Sequence, residues 1–226
     1  MQRVGYRTPL QQLAFFEVLV EVGSLAGRSV LDVGCGWGAL YGYLWAQGLN
    51  ITYTGVEWVP HLLQEARQRY PKADFRLGDI LKIDLPRYDY VIASGLFDYT
   101  APGMAERLRA TLARMFNLCR RGVAWNKFLE PACTRPEHYG EPLGDLLAVC
   151  DAHTPWVVLR RDYAPGHATF YLYKPAAFGS DKAHALAGRL FLRPEFRQRV
   201  KIEPEAVMAE FGLTAQQLNR LLSIVP

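Results

Sequence analysis

No stretch of this 226-residue chain is apolar for the length a bilayer requires; its longest apolar runs are strand-length or interrupted. A membrane partner is therefore not expected. The first residues, MQRVGYRTPLQQ, hold no apolar core ending in a cleavage site, so no signal peptide is read there. Cysteine is scarce. The four present, Cys35, Cys119, Cys133 and Cys150, form no C-x-x-C pair and no metal-type spacing. No metal is expected, and reduced thiols in a cytoplasmic protein are the expected state. Charge of one sign is also in short supply: a net +4 is too mild to mark a nucleic-acid binder. Repeats and low-complexity segments are absent. What remains is a chain with 50% hydrophobic and 21% charged residues, long enough for one α/β domain with a small appendage.

The appendage and the domain are organised around VLDVGCGWG, residues 30–38. Val30, Leu31 and Val33 read as a buried strand around a single acid, Asp32. Glycines follow at alternate positions, Gly34, Gly36 and Gly38, and then a helix through Ala39, Leu40, Tyr43 and Leu44, which Gly48 ends. Strand, glycine turn and helix open a nucleotide-binding βαβ unit, in which glycine lets the backbone approach a ligand closely. The spacing G-x-G-x-G differs from the G-x-G-x-x-G of dinucleotide sites. An acid two residues before the first glycine would repel a phosphate and suit a positively charged ligand. The run resembles motif I of the class I S-adenosylmethionine-dependent methyltransferases, whose cofactor is a sulfonium.

Thr8-Pro9 starts a first helix, with Gln11 completing a capping box, that runs to about Val22 and is apolar over much of its surface. ITYTGVEWV (51–59) reads as a second strand ending in Glu57, and Pro60 starts the helix after it. An acid at that strand tip can accept from both hydroxyls of a ribose. A third strand lies in 73–81, with Gly78, Asp79 and Ile80 at its end, and a fourth is YDYVIA, running into a turn at Ser94 and Gly95. A helix from about Gly103 to Leu118 leads to a fifth strand, GVAWNKF, and another helix sits near Leu143 to Ala152. WVVLRRD (156–162) and TFYLYK (169–174) are joined too closely for a crossover and imply an antiparallel hairpin.

These motifs stand in the order of the class I methyltransferases, and the resemblance covers residues 1 to about 176, including a closing DYAP…TFYLYK similar to a bacterial subgroup of small methyltransferases. It implies a Rossmann-like, seven-stranded mixed sheet of order 3-2-1-4-5-7-6 with its last hairpin antiparallel, and S-adenosylmethionine as cofactor. It further implies that Asp79 contacts the adenine amino group, that Ile80 packs on the ring, and that the Ser94–Gly95 turn lies beside the methyl group. The cofactor set is then Asp32, Gly34, Cys35, Gly36, Glu57, Trp58, Gly78, Asp79, Ile80, Ser94 and Gly95. The family members that methylate base amines or protein glutamine carry Asn/Asp-Pro-Pro-Tyr after strand four. Ser94-Gly95-Leu96-Phe97 stands there instead, which argues against those acceptors and for a small molecule or short peptide.

Walls for the acceptor are expected from residues 1–9, Asp98 to Pro102, Asn126 to Tyr139, and Tyr163 to His167. Methyl transfer needs alignment above all, and a general base only if the acceptor is protonated at working pH. Asp98, Tyr99, His167 and, by position, Asp162 are the candidate catalytic bases. Without a catalytic motif among them, a cofactor-binding regulatory or partner protein that keeps the fold is the alternative.

Residues 177–226 form a helical extension beyond the 1–176 domain. One helix is expected in AFGSDKAHALAGRLFL and a helical hairpin in EPEAVMAEFGLTAQQLNRLLS, with Gly212 as the cap between its helices. The hairpin resembles a short module of the small subunit of aromatic-ring-opening dioxygenases and segments in the leaders of some ribosomally made peptides. That likeness implies a docking role. The surface docked on could be the chain's own domain, a substrate or, as the favoured expectation, a second subunit in a homodimer.

Overall fold

The computed structural model describes residues 9–98, 102–129, 140–174 and 194–222. In chain order the elements are α1 (Pro9–Leu19), a 3-10 turn (Val20–Val22), β1 (Ser29–Val33), α2 (Ala39–Ala46), β2 (Thr52–Glu57), α3 (Pro60–Arg69), β3 (Asp74–Leu77), β4 (Tyr88–Ala93), α4 (Met104–Leu118), β5 (Cys119–Phe128), α5 (Leu143–Asp151), β6 (Val157–Arg160), β7 (His167–Tyr173), α6 (Pro194–Ile202), α7 (Pro204–Phe211) and α8 (Ala215–Leu222). The seven strands form one sheet of order β3-β2-β1-β4-β5-β7-β6, as the sequence led us to expect. β3, β2, β1, β4 and β5 pair in parallel, whereas β7 runs antiparallel to both β5 and β6. The carboxyl ends of β1, β2, β4 and β5 therefore share one edge, and β7 begins at that edge.

Alternation along the strands sends apolar side chains to both faces. Val91, Val123, Trp125, Phe170 and Leu172 face α4 and α5, whose Leu108, Leu112, Met115, Leu146 and Cys150 close that layer. Val30, Tyr53, Ile92, Ala124 and Tyr171 face the other way, under Phe16 and Leu19 of α1, Leu40 and Leu44 of α2, and Leu63 and Ala66 of α3.

Strand boundaries moved where backbone pairing outran the apolar pattern. β5 begins at Cys119, three residues before the expected Gly122, because Cys119 pairs with Tyr88 while Arg121 meets Asp89 at 3.5 Å at the wet end of the sheet. β6 is cut short at Arg160, which turns to Asp162. His167, expected in the hairpin turn, is the first residue of β7 and pairs with Phe128.

The described part of the extension is helical as expected. Gly212 takes φ 58°, the left-handed conformation that ends α7 and lets Leu213 N–H reach the Met208 carbonyl at 2.9 Å. The helix expected in 177–192 lies outside the described residues, as do Thr8 and the start of the capping box. Phe196, Val200, Val207, Phe211 and Leu218 bury one another around Trp156, with Val158 and Tyr173 packed alongside. The Trp156 and Phe211 rings meet edge to face at 4.5 Å. The apolar side of α6–α8 is thus spent on the β6–β7 edge of the same chain. Among the described residues, no helix is long and apolar enough to cross a membrane.

Candidate functional site

The site starts from the turn that ends β1. Gly34, Gly36 and Gly38 all take positive φ (73°, 54° and 82°), a conformation that costs other residues. A Cβ on Gly34 would also fall 2.7 Å from Leu96, whereas one on Gly36 would meet nothing within 4 Å and project into open space. The Gly34 and Cys35 amides donate to the Val56 carbonyl and pin the turn to β2. Cys35 faces inward, so that a Cβ on Gly55 would lie 2.8 Å from its sulfur. Burial pushes its thiol up, which fits a packing residue and not a nucleophile.

Asp32 lies 2% exposed beneath this turn and accepts from the Tyr53 hydroxyl at 2.7 Å. Burial pushes its carboxyl up to about 7, with Tyr53 opposing and Glu57 adding to the rise. A buried acid so placed gains from a neighbouring positive charge. Gln12 and Phe16 of α1 roof the turn, and with Asp32, Gly34, Cys35, Gly36 and Ser94 they line a cleft of about 40 Å3.

Glu57 ends β2 facing the same turn. One carboxylate oxygen accepts from the Gly36 amide at 2.9 Å, and the other from the Trp58 and Val59 amides, each at 2.9 Å. A carboxylate offers about four acceptor positions, so about one is left for a ligand hydroxyl where the sequence suggested two. The Gly78 amide donates to the Glu57 carbonyl and brings Asp79 alongside. Asp79 accepts from the Leu81 amide at 3.1 Å and from Arg107 at 2.9 and 3.4 Å. Partial burial pushes the Asp79 carboxyl up, but the amide and the guanidinium outweigh it and hold it below the usual carboxylate range. The Arg107 guanidinium also lies 4.8 Å above the exposed Trp58 ring, and Ile80 is buried beneath.

At the ends of β4 and β5 the Gly95 amide donates to Asn126 Oδ1 at 2.7 Å. Asp98 is buried and accepts from the Phe128 amide at 2.9 Å; burial raises its carboxyl to about 6 against the pull of Lys127 and of that amide. His167 is buried with its ring 3.7 Å from Phe128 and 4.5 Å from Phe15, and its Nδ1 is 3.3 Å from the Pro165 carbonyl. Tyr99 lies outside the described residues. Asp162 is taken by Arg160 at the exposed hairpin turn.

The sheet therefore assembles the eleven expected cofactor residues along the ends of β1, β2, β3 and β4, and sets Asp98 and His167 beside them at β5 and β7. Arg107 was not among the residues read from the sequence, nor were Gln12, Phe16 and Tyr53, since nothing in spacing ties a helix residue to a strand end dozens of positions away. Lys127 carried the clearest overlooked signal: a lysine in the apolar run of a central strand, here fully buried.

Residues 30–122 match the family model described as a methyltransferase domain. A protein of Mycobacterium tuberculosis, named as a methyltransferase without a substrate, is 34% identical over 105 residues, 43% of this chain and 61% of its own length. Human acetylserotonin O-methyltransferase is 33% identical over 139 residues, 52% of this chain and 38% of its own. The chain thus spans less than two thirds of these curated relatives. Magnesium protoporphyrin IX methyltransferase from Synechocystis PCC 6803, solved with bound SAH, superposes with a TM-score of 0.57 at 19% identity, over 73% of this chain and 83% of that one. Residues 30–122 of this chain thus match a methyltransferase-domain model, and the seven-stranded sheet of the whole chain is a fold it shares with solved methyltransferases.

Proposed function

We propose that the chain binds S-adenosylmethionine in the glycine-turn cleft and transfers its methyl group to a small molecule or a short peptide. The observation that carries this reading is the turn itself: three positive-φ glycines over the buried Asp32, with open space where a Gly36 side chain would stand. A cradle without side chains admits a ligand against the backbone, and the acid beneath favours a ligand bearing positive charge. The matched family model and the SAH-bound neighbour support the same cofactor.

When bound, the cofactor supplies an activated methyl carbon, whose bond to sulfur breaks as the acceptor's lone pair attacks. The chain's own residues bind and align. Glu57 holds the turn through the Gly36 amide and offers its remaining lone pair to a sugar hydroxyl. Asp79 accepts at the base edge, and the Trp58 ring offers a stacking face. Gln12 and Phe16 keep water from the cleft. Asp98, with its carboxyl raised to about 6, is a base within working range for a protonated acceptor, and His167 at the start of β7 is the second candidate by position. Cytoplasmic location and a homodimer belong to the same proposal, although the apolar side of α6–α8 is already used within the chain.

Calorimetry with S-adenosylhomocysteine, alongside ATP and NAD, tests the binding step: binding of the first alone is expected. Incubation with methyl-labelled cofactor and host extract tests transfer. Tight cofactor binding with no labelled product would favour a regulatory protein that has kept the fold.

A further inference from the structure

Asn126 is 1% exposed, and among the described residues its Nδ2 has no hydrogen-bond partner. Its orientation is not free, because the Gly95 amide requires Oδ1 at 2.7 Å and thereby turns the NH2 group away. A buried donor left without an acceptor is costly, and native structures seldom keep one without a use. Thr169, the register partner of Asn126 on β7, shares its Oγ1 with the Tyr163 hydroxyl at 2.7 Å, and the Pro165 carbonyl faces His167 Nδ1. Asn126 shares its sheet face with Phe128, His167 and Thr169, and Phe15 of α1 packs edge-on to His167 and Tyr163. Lys127, one residue on, points to the opposite face.

Resting on the proposed methyl transfer, we infer that Asn126 Nδ2 is the acceptor-binding donor: it receives an oxygen lone pair of a planar, aromatic methyl acceptor whose ring packs against the outside of the Phe15, Phe128 and His167 cluster. Gly95 ties this donor to the β4 turn whose Ser94 lines the cofactor cleft.

The test uses the full chain saturated with S-adenosylhomocysteine and three probes of one shape, benzoate, phenol and toluene, titrated by ligand-observed NMR. If the wild type fails to bind S-adenosylhomocysteine, the underlying reading falls before the acceptor is reached. In the wild type, benzoate is expected to bind about tenfold more tightly than toluene, with phenol between them. Asn126→Ala should abolish that preference. Asn126→Asp keeps an acceptor for the Gly95 amide and, titrated at pH 8 with its carboxyl ionised, offers no donor, so it should reject benzoate in particular while leaving S-adenosylhomocysteine affinity within about twofold. A preference for oxygen-bearing probes that survives both substitutions, no probe bound to the wild type, or a fall in cofactor affinity in the aspartate variant would overturn the assignment.

Discussion

Along one edge of the sheet, the ends of β1 and β2 are built to bind with backbone, whereas the ends of β4, β5 and β7 are built to bind with side chains. The first half consists of positive-φ glycines over the buried Asp32 and of three amides gathered on Glu57. The second half is Asn126, Phe128 and His167, brought together by antiparallel pairing of β5 with β7, and Asp98, held by the Phe128 amide. Backbone recognition suits an invariant ligand, because little can be altered without breaking the turn. Side-chain recognition can be changed one residue at a time while the pairing stays, which suits a variable acceptor.

If that contrast holds, the largest effect comes from the acid that organises the backbone half. Glu57→Ala leaves the Gly36, Trp58 and Val59 amides without their acceptor. At about 1–2 kcal/mol for each of these three partly buried donors, a loss of roughly 3–6 kcal/mol in stability is expected, together with at least about a hundredfold loss in S-adenosylhomocysteine affinity. Glu57→Gln keeps one oxygen and should fall between. Urea unfolding and calorimetry read both, and an unchanged midpoint for the alanine variant would show that the turn stands without Glu57.

The two buried acids separate the halves by their response to pH. Asp32 ionises near 7 in the folded chain and near 3.8 as a free side chain, so the folded state holds an extra proton between those values. Stability is then lost as pH rises from about 4 to about 7 and stays low above. Asp32→Asn, which retains an oxygen for Tyr53, should therefore stabilise the ligand-free chain at pH 8 by on the order of 4 kcal/mol and change little at pH 4. Asp98→Asn should do the same over the narrower window from about 4 to about 6, by on the order of 3 kcal/mol, keeping an oxygen for the Phe128 amide. Cofactor affinity divides them. Asp32→Asn should weaken it about tenfold by removing the charge beneath a cation, and Asp98→Asn should leave it within about twofold. Equal cofactor losses from the two would erase the distinction between the halves.

How far each half could be read from the sequence follows from the same difference. The glycine turn, the strand after it and the positions of Asp32 and Glu57 are local facts, carried by spacing within about thirty residues. The antiparallel last pair could be read because a short link between two apolar runs admits no crossover, whereas the strand order came from the resemblance to the class I methyltransferases. Asn126 sat at the margin of an expected wall, but its meeting with Gly95 depends on the register of β4 against β5, which no local pattern records. His167 looked like a turn residue, since a histidine beside Pro165 and Gly166 carries a turn signal stronger than its strand signal. Only its pairing with Phe128 makes it the start of β7. The extension showed its helices through Pro204 and Gly212, yet Trp156, the residue they close around, lies about fifty positions earlier.

The smallest effect concerns Arg107, where a side chain intrudes on the backbone half. Its planar guanidinium lies 4.8 Å over the Trp58 ring and donates to Asp79 at 2.9 Å. A stacked base with an exocyclic amine would make these same two contacts, and the two cannot occupy one place. The ion pair is about a third exposed on the arginine side, so it contributes little, roughly 0.2–1 kcal/mol, and the stacking adds about 0.5–1 kcal/mol. Arg107→Ala should accordingly tighten S-adenosylhomocysteine binding about two- to tenfold, and raising the salt concentration should tighten the wild type while leaving the variant unmoved. Titration at low and high salt reads both. Weaker binding by the variant at either salt concentration would mean that Arg107 holds Asp79 ready for the base, and that the cofactor half also depends on a side chain the sequence left unmarked.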